Sequence, residues 1–130
     1  ASVVANDNRV ELLRGNPHVI ARRAGVQDKV VTTWINVAEL YFGADRSDAP
    51  GENHALVNEL LESLEVVGID RESAQIFGKC KAEFQKSGKP LPDADLFIGS
   101  IALAHEAIVV TGNVRHFSKF QGIRLENWIR

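Results

Sequence analysis

Apolar residues along this chain alternate between short β-branched runs and longer stretches with helical spacing. Residues 2–5 (SVVA) read as a first strand, followed by the polar corner Asn6, Asp7 and Asn8. Val10, Leu12 and Leu13 mark a short amphipathic helix stopped by Gly15. Asn16-Pro17 is a helix-start pair, Asn as cap and Pro in the first position, and opens a second helix over 18–25. Residues 29–34 (KVVTTW) read as a second buried strand. Residues 35–44 are expected to be helical with Asn36 as cap, Val37, Leu40 and Tyr41 on the buried side, and Glu39 on a different azimuth. Residues 45–52 (DRSDAPGE) are loop by composition. Apolar positions 56, 57, 60, 61 and 64 predict a helix over 53–64, and 65–69 (EVVGI) a third short strand.

The second half is more sharply punctuated. A helix over 70–87 opens on Asp70, carries Ala74, Phe77, Cys80 and Phe84 at roughly helical spacing, and ends at Gly88. Pro90 and Pro92 break any continuation. Asp93 is then expected to cap a helix over 94–106, with Asp95 in its first turn, where backbone N–H groups are free. Gly99, Ser100, Ala102 and Ala104 let a neighbour approach that helix closely. Residues 107–111 (AIVVT), bounded by Gly112, read as a strand buried on both faces of a parallel sheet. One helical turn within 114–120 and a final edge strand over 123–129 (IRLENWI) complete the chain. The alternation predicts a single α/β domain over residues 1–130, a right-handed parallel β-sheet sandwiched by α-helices. Open α/β sheets bind ligands beyond the carboxyl ends of their strands. Gly112, Asn113 and the segment up to His116 are therefore expected near Asp95.

Composition narrows the setting. The chain's 130 residues, 45% apolar and 25% charged, suit one soluble globular domain with its own core. The single Cys80 excludes an internal disulfide framework and points to a cytoplasmic location. No apolar run reaches membrane-spanning length and no basic-then-apolar leader is present; the lack of any Met points to a trimmed or incomplete start. A net charge of −2 does not by itself mark a nucleic-acid binder, although an acidic metal cluster with basic residues on the rim gives the same balance. Trp34 and Trp128 read as core or interface residues.

Three places combine a carboxylate or amide with the expected rim of the sheet: Asn6-Asp7-Asn8, Glu39, and Asp93/Asp95 with Asn113. Hard oxygen ligands from separate segments are what Mg²⁺ or Mn²⁺ requires. Such ions activate a water and stabilise the leaving oxygen of a phosphodiester. No Cys/His zinc pattern, Gly-rich phosphate loop or Gly-x-Ser-x-Gly turn competes with this chemistry. Each residue also has a plain structural role: Asp93 as helix cap, Asp95 as complement to the helix dipole, Asn113 as turn former, Glu39 as a solvated side chain. On residues alone, an acidic metal site is indicated and no substrate.

The segment VTTWINVAELYFGA resembles the strand–helix of PIN-domain proteins, where a Ser/Thr strand end precedes a helix with a Glu-Leu pair and then Gly-Ala. PDADLFIGSIALAHEAIVVTGNVRHFSKFQGIRLENW resembles their C-terminal half, especially that of VapC-type toxins of toxin–antitoxin pairs. There an Asp stands three residues before an Ile-small-small run, Thr-x-Asn/Asp ends the next strand, a Phe follows, and Gly-x-x-Leu-Glu-Asn-Trp closes the chain. The resemblance covers roughly residues 30–44 and 88–128 and is specific in combination. It implies a Mg²⁺- or Mn²⁺-dependent endoribonuclease held in check by a cognate antitoxin. Glu39, Asp95 and Asn113 match the family's acidic positions, and Asp93 a frequently acidic neighbour. Arg14, Arg115 and His116 are the candidate phosphate contacts, with ordinary solvation as the alternative. The resemblance further implies a homodimer, for which the edge strand is suited, and an antitoxin helix offering Arg or Lys to the carboxylates.

One family position departs. PIN domains usually end the first strand with Asp-Thr-Asn, and ungapped counting from Leu12-Leu13-Arg14-Gly15 puts Ala5 where that Asp belongs. Either Asp7 serves, or the position is lost, naturally or by engineering. Two rivals therefore stand beside the toxin: a PIN nuclease of RNA processing or repair, and a catalytically impaired PIN domain acting as a binding module.

Overall fold

The computed structural model describes residues 2–6, 29–63, 65–111 and 114–126. Five strands form one sheet: β1 (Ser2–Asn6), β2 (Lys29–Thr33), β3 (Glu65–Val67), β4 (Ile108–Thr111) and β5 (Arg124–Glu126). Their spatial order is β3-β2-β1-β4-β5, and every pairing is parallel. From β1 the chain builds outward in one direction through β2 and β3, and in the other through β4 and β5. The order thus reverses between β1 and β4, where Ala5 pairs with Val110 and Asn6 with Thr111. That reversal opens the crevice in which doubly wound sheets bind ligands. The expected parallel α/β architecture is present, with β5 on an edge as predicted.

The described helices are α1 (Trp34–Asp45), α2 (Pro50–Ser63), α3 (Arg71–Lys86), α4 (Asp93–Ala104) and the short α5 (Val114–Phe117). Several boundaries differ from the sequence expectation: β3 ends at Val67 rather than at residue 69, and α4 at Ala104 rather than at residue 106. Trp34 belongs to α1 rather than to the strand, and the cap is Thr33, not Asn36: Thr33 Oγ1 accepts the Asn36 backbone N–H at 3.1 Å. Asn36 instead points inward, 1% exposed, its Nδ2 donating to Thr32 Oγ1 at 3.2 Å. Pro50-Gly51-Glu52, read as loop, forms the first turn of α2, where a proline lacks no hydrogen bond that a helix would have made. Asp93 is the first residue of α4 and does not cap it; Pro92 holds the cap position, with no side-chain cap bond. Asp70 does cap α3, in a reciprocal box with Ser73, and Gly88 beyond its end takes φ +71°. The expected helices over residues 10–15 and 18–25, Leu64, and the end of the last strand with Trp128 lie outside the described residues.

Two apolar clusters hold these layers. Val31, Leu96, Ile98, Ala102, Val109, Phe117 and Phe120 pack between the sheet, α4 and α5. Leu40, Ala44, Val57 and Leu60 join α1 to α2, with Tyr41 and Leu56 at the margin. Each fully buried Val, Leu, Ile or Phe among these contributes on the order of 1.5–3 kcal/mol. The small-residue surface of α4 does what its composition implies: at Gly99 the Phe120 ring rests on the helix backbone. Trp34 is 55% exposed, so it is not a core residue. No helix among the described residues is long and apolar enough to cross a membrane.

Candidate active site

Strand direction brings the chemistry to one edge. Helix α1 starts directly from the carboxyl end of β2, because Thr33 is both the last strand residue and the cap. Helix α4 runs back to the amino end of β4, so its first turn lies at the same carboxyl edge, and α1 packs along it. Helix α5 follows β4 and packs against α4. Glu39, in the second turn of α1 and half-buried, and Asp95, in the first turn of α4, thus stand on two adjoining helices that both begin there.

Asp95 is the anchored acid. Its side chain is 15% exposed, and Oδ2 lies 2.7 Å from His116 Nδ1. The expectation that the segment reaching His116 comes to Asp95 is met by this contact. Two residues earlier, Asp93 faces elsewhere. Positions i and i+2 of a helix lie on different sides, and the Asp93 carboxylate meets Lys81 Nζ of α3 at 3.1 Å in an open, solvent-exposed pair. The acids that adjoin in sequence are therefore separated in space: Asp95 faces α5, and Asp93 faces α3. Arg115, on α5, is exposed.

Ala5 lies within β1, one residue before its end. Asp7, Arg14 and Asn113 lie outside the described residues. Among the described residues no group of three His, Cys, Asp or Glu side chains is close enough to hold a metal ion. The donors that are described, a largely buried Asp and a half-buried Glu at one edge, are the hard oxygens that Mg²⁺ or Mn²⁺ takes, and they fit such an ion as part of a set. The sequence places the segment near Asp95 but does not give the side-chain pairing of His116 Nδ1 with Asp95 Oδ2. Only the packing of α5 on α4 creates it.

A PIN domain model matches residues 10–123. Ribonuclease VapC2 of Haemophilus influenzae is 36% identical over 101 residues, covering 78% of this chain and 76% of that protein. The tRNA(fMet)-specific endonuclease VapC of Salmonella typhimurium is 32% identical over 117 residues, 89% of each chain. Among solved structures, DNA-bound VapBC from Salmonella typhimurium superposes with a TM-score of 0.83 at 30% identity, over 98% of this chain and 99% of that one. VapBC-1 of nontypeable Haemophilus influenzae reaches 0.86 over the full length of both chains at 24% identity, a likeness of fold. A family match over most of the sequence, on the fold and sheet edge described above, makes this chain a member of the PIN-domain family.

Proposed function

We propose that this chain is the toxin of a toxin–antitoxin pair, a metal-dependent endoribonuclease of the cytoplasm neutralised by a cognate antitoxin. The observation that carries the reading is Asp95: a carboxylate largely withdrawn from solvent, at the carboxyl edge of a reversing parallel sheet, in a chain 32% identical to an endonuclease of transfer RNA. Asp95, Glu39 and Asp7 would hold a Mg²⁺ or Mn²⁺ ion, with Asn113 completing the site. Asp93, committed to Lys81 on the other side of α4, is left out of that set. When bound, the cation supplies an activated water and neutralises charge developing on the phosphodiester oxygens. The protein's own groups position and shield. Thr33 fixes the start of the helix that carries Glu39, and α4 offers its free N–H groups to the negative charge gathered there. Arg115 and Arg14 are the cations for the RNA backbone. The antitoxin masks this edge and, by charge complementarity, presents a basic side chain to the acids. A homodimer through the β5 edge is compatible with that arrangement.

Incubation of the full chain with bulk RNA tests the assignment. Cleavage that appears with Mn²⁺, stops with chelator and is blocked by the co-purified antitoxin is the expected result.

A second reading rests on Ala5. If this strand residue stands at the family's first acid and Asp7 does not replace it, the chain is a metal-poor PIN domain that binds RNA or antitoxin without cutting.

A further inference from the structure

His116 and Asp95, 21 positions apart, meet with Nδ1 2.7 Å from Oδ2. An ionised carboxylate only accepts hydrogen bonds, so the ring nitrogen facing it carries the hydrogen, whether the imidazole is neutral or charged. The backbone that carries the ring is anchored. Phe117, the next residue, is completely buried in the core shared with Phe120 and Leu96, and α5 is packed on α4. Asp95 is in turn fixed in the first turn of α4, followed immediately by Leu96, 1% exposed. Both partners therefore stand on backbone anchored by buried neighbours, and their separation does not depend on a mobile loop side chain.

A carboxylate that must serve as a ligand has two equivalent oxygens and a soft terminal torsion. Fixing one oxygen with a donor orients the other, and partners of this kind typically change metal affinity 10–100-fold when removed. We propose that His116 is the positioning residue of Asp95: its Nδ1–H holds Oδ2 and leaves Oδ1 as the oxygen offered to the cation. The assignment rests on the metal-site reading above and gives His116 a role within the acid site, in place of the phosphate contact expected from sequence.

The test is calorimetric titration of the full chain with Mn²⁺ alone, comparing His116→Asn, His116→Gln and His116→Ala. An asparagine amide reaches the position of Nδ1, whereas a glutamine amide reaches that of Nε2. The expected result is Mn²⁺ binding within a few-fold of the parent chain for Asn, and about 10–100-fold weaker for both Gln and Ala. Melting curves should be alike for Asn and Gln, so the contrast between them reads position rather than folding. Equal affinity in the parent and Ala chains would overturn the proposal, as would equal affinity in the Asn and Gln chains. A parent chain that takes up no Mn²⁺ would overturn the metal-site reading itself and this role with it, an outcome seen before any variant is made.

Discussion

The Phe120 ring lies directly on Gly99: a Cβ at that glycine would stand 2.5 Å from Cε2 and 2.9 Å from Cε1 of the ring. Phe120 is also 5.4 Å, edge-on, from Phe84 and buried to 3% exposure, so it has little room to withdraw. Gly99→Ala should therefore destabilise the fold by about 1–3 kcal/mol, the usual cost of overpacking a filled core. Denaturant unfolding reads it directly. Adding Phe120→Leu should restore part of the loss; additive losses in the double variant would show that the two positions do not share the space.

Helix α1 depends on Thr33, whose side chain is fully buried and caps the helix. Thr33→Val keeps the volume and removes the acceptor, so it should cost about 1 kcal/mol, whereas Thr33→Ser keeps the acceptor and loses one buried methyl, about 0.8 kcal/mol. Because Glu39 stands on this helix, the Val variant should also lose cleavage activity beyond its loss of stability. Activity unchanged in Thr33→Val would separate the cap from the site.

Asp70 carries the clearest electrostatic signature. The backbone N–H and the hydroxyl of Ser73 hold its carboxyl below the ordinary aspartate value, with a smaller contribution from His105. A carboxyl whose folded pKa is depressed stabilises the fold above its unfolded pKa, and that stabilisation is lost as pH falls through the folded value. Acidification below about pH 4 should therefore lower the melting temperature of the parent chain more than that of Asp70→Ala. At neutral pH the variant should melt a few degrees lower through the lost cap. Parallel acid limbs in the two chains would contradict the assignment.

Burial pushes the Cys80 thiol above its ordinary pKa, with Glu83 adding to the effect. The thiolate is the reactive form, so Cys80 should react slowly with a disulfide reagent at neutral pH and fast once the chain is unfolded. Equal rates in both states would show that the thiol is open to solvent.

Periodicity alone conveyed most of the architecture, because strands of a parallel sheet are written as unbroken apolar, β-branched runs such as IVVT of β4. Helix starts were less legible. Thr33 and Asn36 both suit a cap, and only the turn made at the very end of β2 puts the first at the helix start and the second in the interior against Thr32. Pro50 looked like a loop residue because the sequence signal for a break and for a first turn is the same. At the site, the sequence indicated Asp95 and Glu39 through the expected sheet rim and the resemblance to the family. It could not tell that Asp93 turns to Lys81 while Asp95 turns to His116, since that depends on which helix packs on either side of α4.

If the edge holding Asp95 is a metal-dependent nuclease site, single-turnover cleavage of end-labelled RNA in Mn²⁺ depends on that carboxylate. The parent chain, Asp95→Ala, Asp7→Ala and Ala5→Asp should be compared, each with and without chelator. The expected result is cleavage that chelator and Asp95→Ala both abolish; loss in Asp7→Ala as well would place Asp7 as the first acid, and a gain in Ala5→Asp would place that acid at position 5. Cleavage that persists in Asp95→Ala, or silence in every chain including Ala5→Asp, would contradict it.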